Sequence, residues 1–213
     1  MKKVILTLLS ACLAVTLISC GSTKVEENKA PAGDWISCIK EGAELNNGCF
    51  YTTDDLGQFS SIEVELKKDG GFEGSGFGLI FGFTDTKQEK IDNYTRFEIN
   101  ALGEYALYTF DGSQYADLMD VSAKNTAYLL EEVSIAKNLG SSNKLKIERN
   151  NDGTYNCYIN GTKIAANINT MDNTNCNVRA FFSVGKADEE NFDKNPVQVF
   201  YRITDSVEYK AKK

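Results

Sequence analysis

Glu63 and Glu65 stand two apart in the run 62–66 (IEVEL), so a strand through them carries both carboxylates on one face. A pair of carboxyl groups about 5–5.5 Å apart flanks the scissile bond of a retaining glycosidase, which makes these two a candidate catalytic pair. Lys67 occupies the place where a further acid would continue the row, and the clean alternation reads more simply as the solvated face of an outer strand. Tyr94, Arg96 and Glu98 are spaced in the same way within 94–100 (YTRFEIN), with Tyr105 or Tyr108 of the following run within cross-strand reach. Aromatic rings stack on the apolar faces of sugars while flanking polar groups take the hydroxyls, so Tyr94, Arg96, Glu98, Tyr105 and Tyr108 are the ligand-binding candidates. The competing reading makes these tyrosines ordinary strand residues with one wet edge.

The 213 residues include no histidine, which excludes Ser-His-Asp triads, Cys-His pairs and His-ligated metals. With 23 basic and 30 acidic side chains the formal charge is -7, so nothing offers an electrostatic footprint for phosphate backbones and no nucleic-acid partner is expected. A hydrophobic share of 42% is ordinary for a chain that folds into one compact domain.

The N-terminus reads as an address. Lys2 and Lys3 precede an apolar run, 4–18, that is too short to be a comfortable membrane span and fits the n- and h-regions of a secretory signal. The run ends Leu17-Ile18-Ser19-Cys20-Gly21, which resembles the lipobox of bacterial lipoproteins and implies lipidation of Cys20 after removal of residues 1–19. Cleavage there leaves 194 residues and, with Lys2 and Lys3 gone, a charge of -9. Residues 20–33 are small, polar and charged, and read as a flexible tether to a domain spanning 34–213. Gly21 instead of Asp favours the outer membrane in the sorting pattern of double-membrane bacteria, so the expected location is the cell envelope, with membrane lipid as a partner through Cys20.

Of six cysteines, Cys12 leaves with the signal and Cys20 takes lipid, so Cys38, Cys49, Cys157 and Cys176 remain in a chain exported to an oxidising compartment. Two disulfides are expected, with Cys38–Cys49 and Cys157–Cys176 favoured among three connectivities because each pair brackets a hairpin-like segment. A thiolate metal site lacks both C-x-x-C spacing and a histidine.

The elements that must position these residues are strands. Alternating or continuous apolar runs at 62–66, 76–84, 94–100, 104–110, 144–149, 155–159, 162–166, 178–184 and 197–209 are separated by Gly, Asn and Asp turns, of which Asn151-Asp152-Gly153 and Asn160-Gly161 are strong hairpin signals. Ten to thirteen strands at this spacing suit a sandwich or jelly roll. The exception is 115–139, where a short helix over 128–133 fits the composition, and Trp35 is expected to plug the core at the start of the domain.

GLIFG (78–82), NYTRFEI (93–99), YALY (105–108), NKLKIER (143–149) and YING (158–161) together resemble the concanavalin A-like, laminin-G-like jelly-roll domains of bacterial surface and secreted proteins, over residues 59–209. Ala180-Phe181-Phe182 stands where that pattern closes on a Gly. The resemblance implies an all-β, concanavalin A-like jelly-roll β-sandwich of two antiparallel sheets, and it is poor for activity because the same sandwich hosts lectins, glycosidases and inert spacers. The E-x-D-x-x-E strand of glycosidases on this sandwich is missing. Calcium is common in the wider family, yet Asp111, Asp117, Asp120, Asp152 and Asp172 form no D-x-[DN]-x-[DN]-G loop, so no cofactor is expected and calcium is the minor alternative. The reading preferred from sequence is a non-catalytic module that binds polysaccharide or a glycosylated surface, ahead of a glycoside hydrolase of the same fold or a purely structural lipoprotein.

Replacing Cys20 by Ser should move the protein from the membrane fraction to the soluble fraction, because the tether offers no other apolar anchor. Intact-mass measurement of membrane-bound protein should show acyl chains on Cys20; an unmodified Cys20 in membranes would overturn the assignment.

Overall fold

The computed structural model describes residues 33–84, 93–118 and 133–210. The expected signal segment, the expected tether up to residue 32, Asp120 and all but Val133 of the expected helix at 128–133 lie outside the described residues. Twelve strands are described: β1 (Ile36–Ser37), β2 (Cys49–Thr52), β3 (Gly57–Gly70), β4 (Phe77–Phe81), β5 (Tyr94–Ile99), β6 (Tyr105–Phe110), β7 (Tyr115–Asp117), β8 (Ser142–Arg149), β9 (Tyr155–Ile159), β10 (Thr162–Ile168), β11 (Asn177–Val184) and β12 (Gln198–Glu208), with one short helix, α1 (Lys186–Glu189), between the last two.

Every pairing is antiparallel. One sheet runs β10-β9-β8-β3-β12-β1, and the other runs from β2 through β11, β4, β5 and β6 to β7. The first residues of β3 also pair with β11, Gly57 opposite Val178 and Gln58 opposite Asn177, so a single curled ladder supplies both layers of the sandwich. This is the all-β jelly-roll class expected from the sequence. Alternation decides what each layer buries. Ile62, Val64 and Leu66 of β3, Leu145 and Ile147 of β8, and Cys157 and Ile159 of β9 point inward against Phe77, Leu79 and Phe81 of β4, Phe97 and Ile99 of β5, and Val178, Ala180 and Phe182 of β11. Each large side chain in this set stabilises the fold by about 1.5–3 kcal/mol relative to exposure.

The hairpin signals resolve as turns. Asn160 and Gly161 both have positive φ (49° and 85°), the geometry of a type I′ turn, and join β9 to β10. Strands β1, β2 and β7, unsigned in the sequence, are short pieces at sheet edges.

Three expectations change. Cys38, Cys49, Cys157 and Cys176 are free thiols, so neither Cys38–Cys49 nor Cys157–Cys176 is bridged. Cys38 follows β1 and donates its N–H to Val199 of the first sheet, whereas Cys49 pairs with Val184 of the second. Cys157 faces the core, where burial pushes its thiol far up, while the Cys176 thiol lies against the Thr174 carbonyl at 3.8 Å. Burial likewise pushes Cys38 up to about 12. Trp35 does not plug the core: it lies half-buried on the outer face of the first sheet, with Arg202 over its ring at 4.5 Å and Lys67 at 5.0 Å.

A buried ion pair ties the far end of β3 to α1. Lys68 (1% exposed) sends its ammonium to the carbonyls of Phe72 at 2.6 Å and Ser75 at 3.3 Å and lies 3.8 Å from Asp188 Oδ1 (0% exposed). Asp188 in turn accepts the N–H groups of Phe72 (2.6 Å) and Gly185 (2.9 Å) and the Ser75 hydroxyl. A Cβ at Gly71, whose φ is +90°, would stand 2.6 Å from that carboxylate, so the loop depends on glycine there. Burial lowers the Lys68 pKa from its ordinary value, and Asp188 opposes that shift. Asp188→Ala should therefore destabilise the fold by about 3–5 kcal/mol, because it strands a buried ammonium. Urea unfolding measures the loss, Lys186→Ala on the exposed side of α1 should cost under about 0.5 kcal/mol, and a deficit below about 1 kcal/mol for Asp188→Ala would show that the pair does not hold the loop.

Candidate functional site

The outer face of the second sheet is where most of the sequence-predicted ligand residues meet. Strand registers place Arg179 (β11), Ile80 (β4), Arg96 (β5), Tyr108 (β6) and Asp117 (β7) in one row across the sheet. The neighbouring row is Thr52, Phe181, Gly78, Glu98 and Ala106. On the other side, Tyr94, Phe110 and Tyr115 continue the face.

Strand β4 explains why these side chains converge. Its alternation sends Phe77, Leu79 and Phe81 into the core and leaves Gly78 and Ile80 outward, with Gly76 just before the strand. A Cβ on Gly76 would stand 2.5 Å from the Glu98 carboxylate, and one on Gly78 would collide with the Phe97 carbonyl. Across this bare floor the Arg96 guanidinium lies 4.7 Å from the Phe181 ring centre and 6.0 Å from that of Phe50, within cation–π range. Arg96 Nε donates to Glu98 Oε2 at 2.7 Å, and Arg96 Nη2 donates to the same oxygen and to Ser183 Oγ at 2.9 Å. Both partners of the pair are 16% exposed.

Ile80, Phe83, Tyr94 and Phe181 form a second apolar cluster beneath, with Phe50 and Phe110 packed on it. Arg179 lies over the Phe83 ring at 4.8 Å and is ion-paired with Asp55. Tyr94, Phe110, Tyr115 and Tyr108 touch in succession, with ring centres 5.3 Å, 4.8 Å and 6.4 Å apart. Of these, Tyr115 is 57% exposed and Tyr108 half-buried, so the aromatic series ends in solvent beside the Arg96–Glu98 pair.

Tyr94, Arg96, Glu98 and Tyr108 thus share the predicted face. Tyr94, however, is 2% exposed, with its hydroxyl 2.8 Å from that of Tyr115, so it supports the face and does not present a platform. Burial, reinforced by Tyr115, pushes its phenol far up; burial and then Glu98 and Asp117 raise Tyr108. Tyr105 lies opposite Ile99 and packs on the main core, because the 99–105 register gives it the parity of Leu107. Phe50, Phe181, Ser183 and Tyr115 come from remote or short strands, and the sequence signalled only the run 178–184.

Glu63 and Glu65 do share the outer face of the first sheet, as their spacing implies, but both are engaged by cations. Lys144 Nζ donates to Glu63 at 3.1 Å, with the Thr204 hydroxyl on the same oxygen at 2.8 Å. Arg202 Nε donates to Glu65 at 2.8 Å and Ser142 at 2.6 Å. Burial pushes the Glu65 carboxyl up, and those hydrogen bonds with the charges of Arg202 and Lys144 outweigh it, leaving the pKa below its ordinary 4.5. Asp111, Asp152 and Asp172 accept hydrogen bonds from residues two or three ahead and so cap their own turns. Among the described residues no three acidic or cysteine side chains gather to hold a metal ion. A cleft of about 800 Å³ opens at the β8–β9 turn beside Arg149 and Tyr209, but its Asp152 and Asn150 are occupied by Thr154 and Asn156.

No family model and no curated protein matches the chain. Among solved structures it is similar to a carbohydrate-binding module from Bacillus subtilis, at 13% identity over 83% of this chain and 96% of that one with a TM-score of 0.45. It is also similar to a galectin from Caenorhabditis elegans (10% identity, 80% and 96% covered, TM-score 0.40) and a β-porphyranase from Bacteroides plebeius (9%, 83% and 76%, 0.40). At these identities and TM-scores the likeness assigns no role to the face.

Because Glu65 is depressed in the folded state, its pair contributes fully above the unfolded value near 4.5 and fades as the pH falls through the folded one. Glu65→Gln should cost about 1 kcal/mol at pH 7 and less at an acid pH below the folded pKa of Glu65, where the native carboxyl takes up its proton. Urea midpoints at the two pH values measure this; a deficit equal at both would show that the charge of Glu65 plays no part.

Proposed function

We propose that this chain is a lipid-anchored protein of the bacterial envelope whose sandwich binds carbohydrate, without catalysis, on the outer face of the second sheet. The observation that carries the reading is the solvent end of the aromatic series, Tyr108 and Tyr115, set beside the Arg96–Glu98 pair. A sugar ring needs one apolar surface to stack on and planar polar groups at its rim for the hydroxyls, and this face offers both within one cross-strand step. The anchor at Cys20 rests on the lipobox-like segment, and the 20–33 tether would carry the domain clear of the bilayer. The non-catalytic part rests on Glu63 and Glu65: the two carboxylates that share a strand face are held by Lys144 and Arg202, so neither stands ready to protonate or attack a glycosidic bond.

Affinity of the mature protein for oligosaccharides, screened on a glycan array and measured by calorimetry, should lie near the micromolar range, about 8 kcal/mol, per site. Tyr115→Ala and Tyr108→Ala should each weaken it about tenfold or more with little change in stability, whereas Tyr158→Phe on the other sheet should leave it unchanged. Binding that ignores both tyrosines would place the site elsewhere, and hydrolysis lost in Glu65→Gln would replace the binding reading by an enzymatic one.

A further inference from the structure

We propose that the Arg96–Glu98 pair makes this face selective for uncharged saccharides over uronate-bearing ones, an inference that rests on reading the face as carbohydrate-binding. The argument starts from charge at short range. The cations among the described residues of the face are Arg96 and Arg179, and each already has its carboxylate, Glu98 and Asp55 respectively. Both guanidinium groups also lie over aromatic rings, Phe181 and Phe83, and their side chains are 16% and 15% exposed. An anionic sugar can engage Arg96 only by displacing Glu98 from it. That exchange leaves a carboxylate against Gly76 and the Phe181 side of the floor with its ion pair broken, which is costly in a partly buried site.

A neutral sugar meets no such conflict. The guanidinium–carboxylate unit presents N–H donors and an acceptor oxygen side by side, so two adjacent hydroxyls of one ring can give a hydrogen bond to Glu98 and take one from Arg96 while the pair stays intact. Ser183, held by Arg96 Nη2 at 2.9 Å, fixes the guanidinium plane, and Tyr108, directly opposite Arg96 across the strands, supplies the apolar side of the same ring site.

The test compares six-unit oligosaccharides of glucose, mannose and xylose with hexagalacturonate on the full mature protein. The wild type should bind at least one neutral hexamer ten times or more tighter than hexagalacturonate, with an affinity that changes less than twofold between 50 and 500 mM salt. Glu98→Gln frees the Arg96 charge, so it should weaken the neutral hexamer and raise affinity for hexagalacturonate by tenfold or more, in a salt-sensitive way. Hexagalacturonate bound as tightly as the neutral hexamers by the wild type, or unaffected by a folded Glu98→Gln, would overturn the selectivity. Should the variant fail to fold, the wild-type ratio and its salt dependence decide alone. A wild type that binds none of the hexamers and no member of a wider glycan array would overturn the carbohydrate reading itself, and the selectivity with it; hexagalacturonate bound as tightly as the neutral hexamers, and released by Tyr115→Ala, would keep that reading and remove only the selectivity.

Discussion

Burial of β4 on both of its faces is the constraint around which the rest of the structure is arranged. A strand that is apolar toward the core and must also pass beneath a second cluster, Ile80 with Phe83, Tyr94 and Phe181, needs cover on the side that would otherwise meet water. Aliphatic cover would create a hydrophobic patch on the surface, and the chain uses arginine instead. Arg96 and Arg179 lay their stems and flat guanidinium groups on Phe181 and Phe83, and Glu98 and Asp55 neutralise them. Glycines at 76 and 78 give the room for this, since any side chain there would occupy the space of the Glu98 carboxylate or the β5 backbone. The polar groups of the candidate site are thus the roof of an apolar cluster, which explains why they are planar, fixed and paired.

The opposite end of β3 is held by a different device. The Lys68–Asp188 pair is surrounded by main-chain groups of the 71–75 turn and the start of α1, so it acts as a substitute for secondary structure where the chain has none. A buried pair of this kind adds little over an apolar core, but every partner must be present. The thiols follow the same logic of position over pairing. Cys157 is a small apolar core residue between the partners Ile147 and Ala165, and the alternation that buries it also points Tyr158 outward, toward Glu148.

Apart from β3, read over 62–66 and observed over Gly57–Gly70, the strands with strong apolar patterns, β4 to β6 and β8 to β12, were legible in the sequence to within three residues, because alternating or continuous apolar runs are recorded by local pattern alone. Strands β1, β2 and β7 have two to four residues each and take their identity from their partners Tyr201, Phe182 and Phe110, which lie far away in sequence or beyond a loop. The same limit governs the site. Spacing placed Tyr94, Arg96 and Glu98 on one side, but it could not choose between Tyr105 and Tyr108, since that choice depends on the register set by the turn at 100–104, where Asn100 caps the N–H groups of Leu102 and Glu104. Nor could it tell an exposed tyrosine from one roofed by its neighbours: Tyr94 has the spacing of a platform and the burial of a core residue. Trp35 was misread for a related reason, since tryptophan is drawn to cover as well as to cores, and here Arg202 and Lys67 give it cover on a sheet surface.

Charge at long range and charge at the face point in the same direction. A chain of formal charge -7 repels polyanions at distances beyond contact, and the face adds no unpaired cation among its described residues to reverse that. The attraction that the proposed carbohydrate site would use is short-ranged: stacking on Tyr108 and Tyr115 and hydrogen bonds from a pair that is already neutral. Such contacts are weak singly and insensitive to salt, and they gain strength mainly by repetition along a polymer. If the proposed anchor at Cys20 holds, an array of such domains would suit that regime, because a flexible linker of about fourteen residues has a root-mean-square reach of about 20 Å and would let neighbouring copies engage one polymer at once.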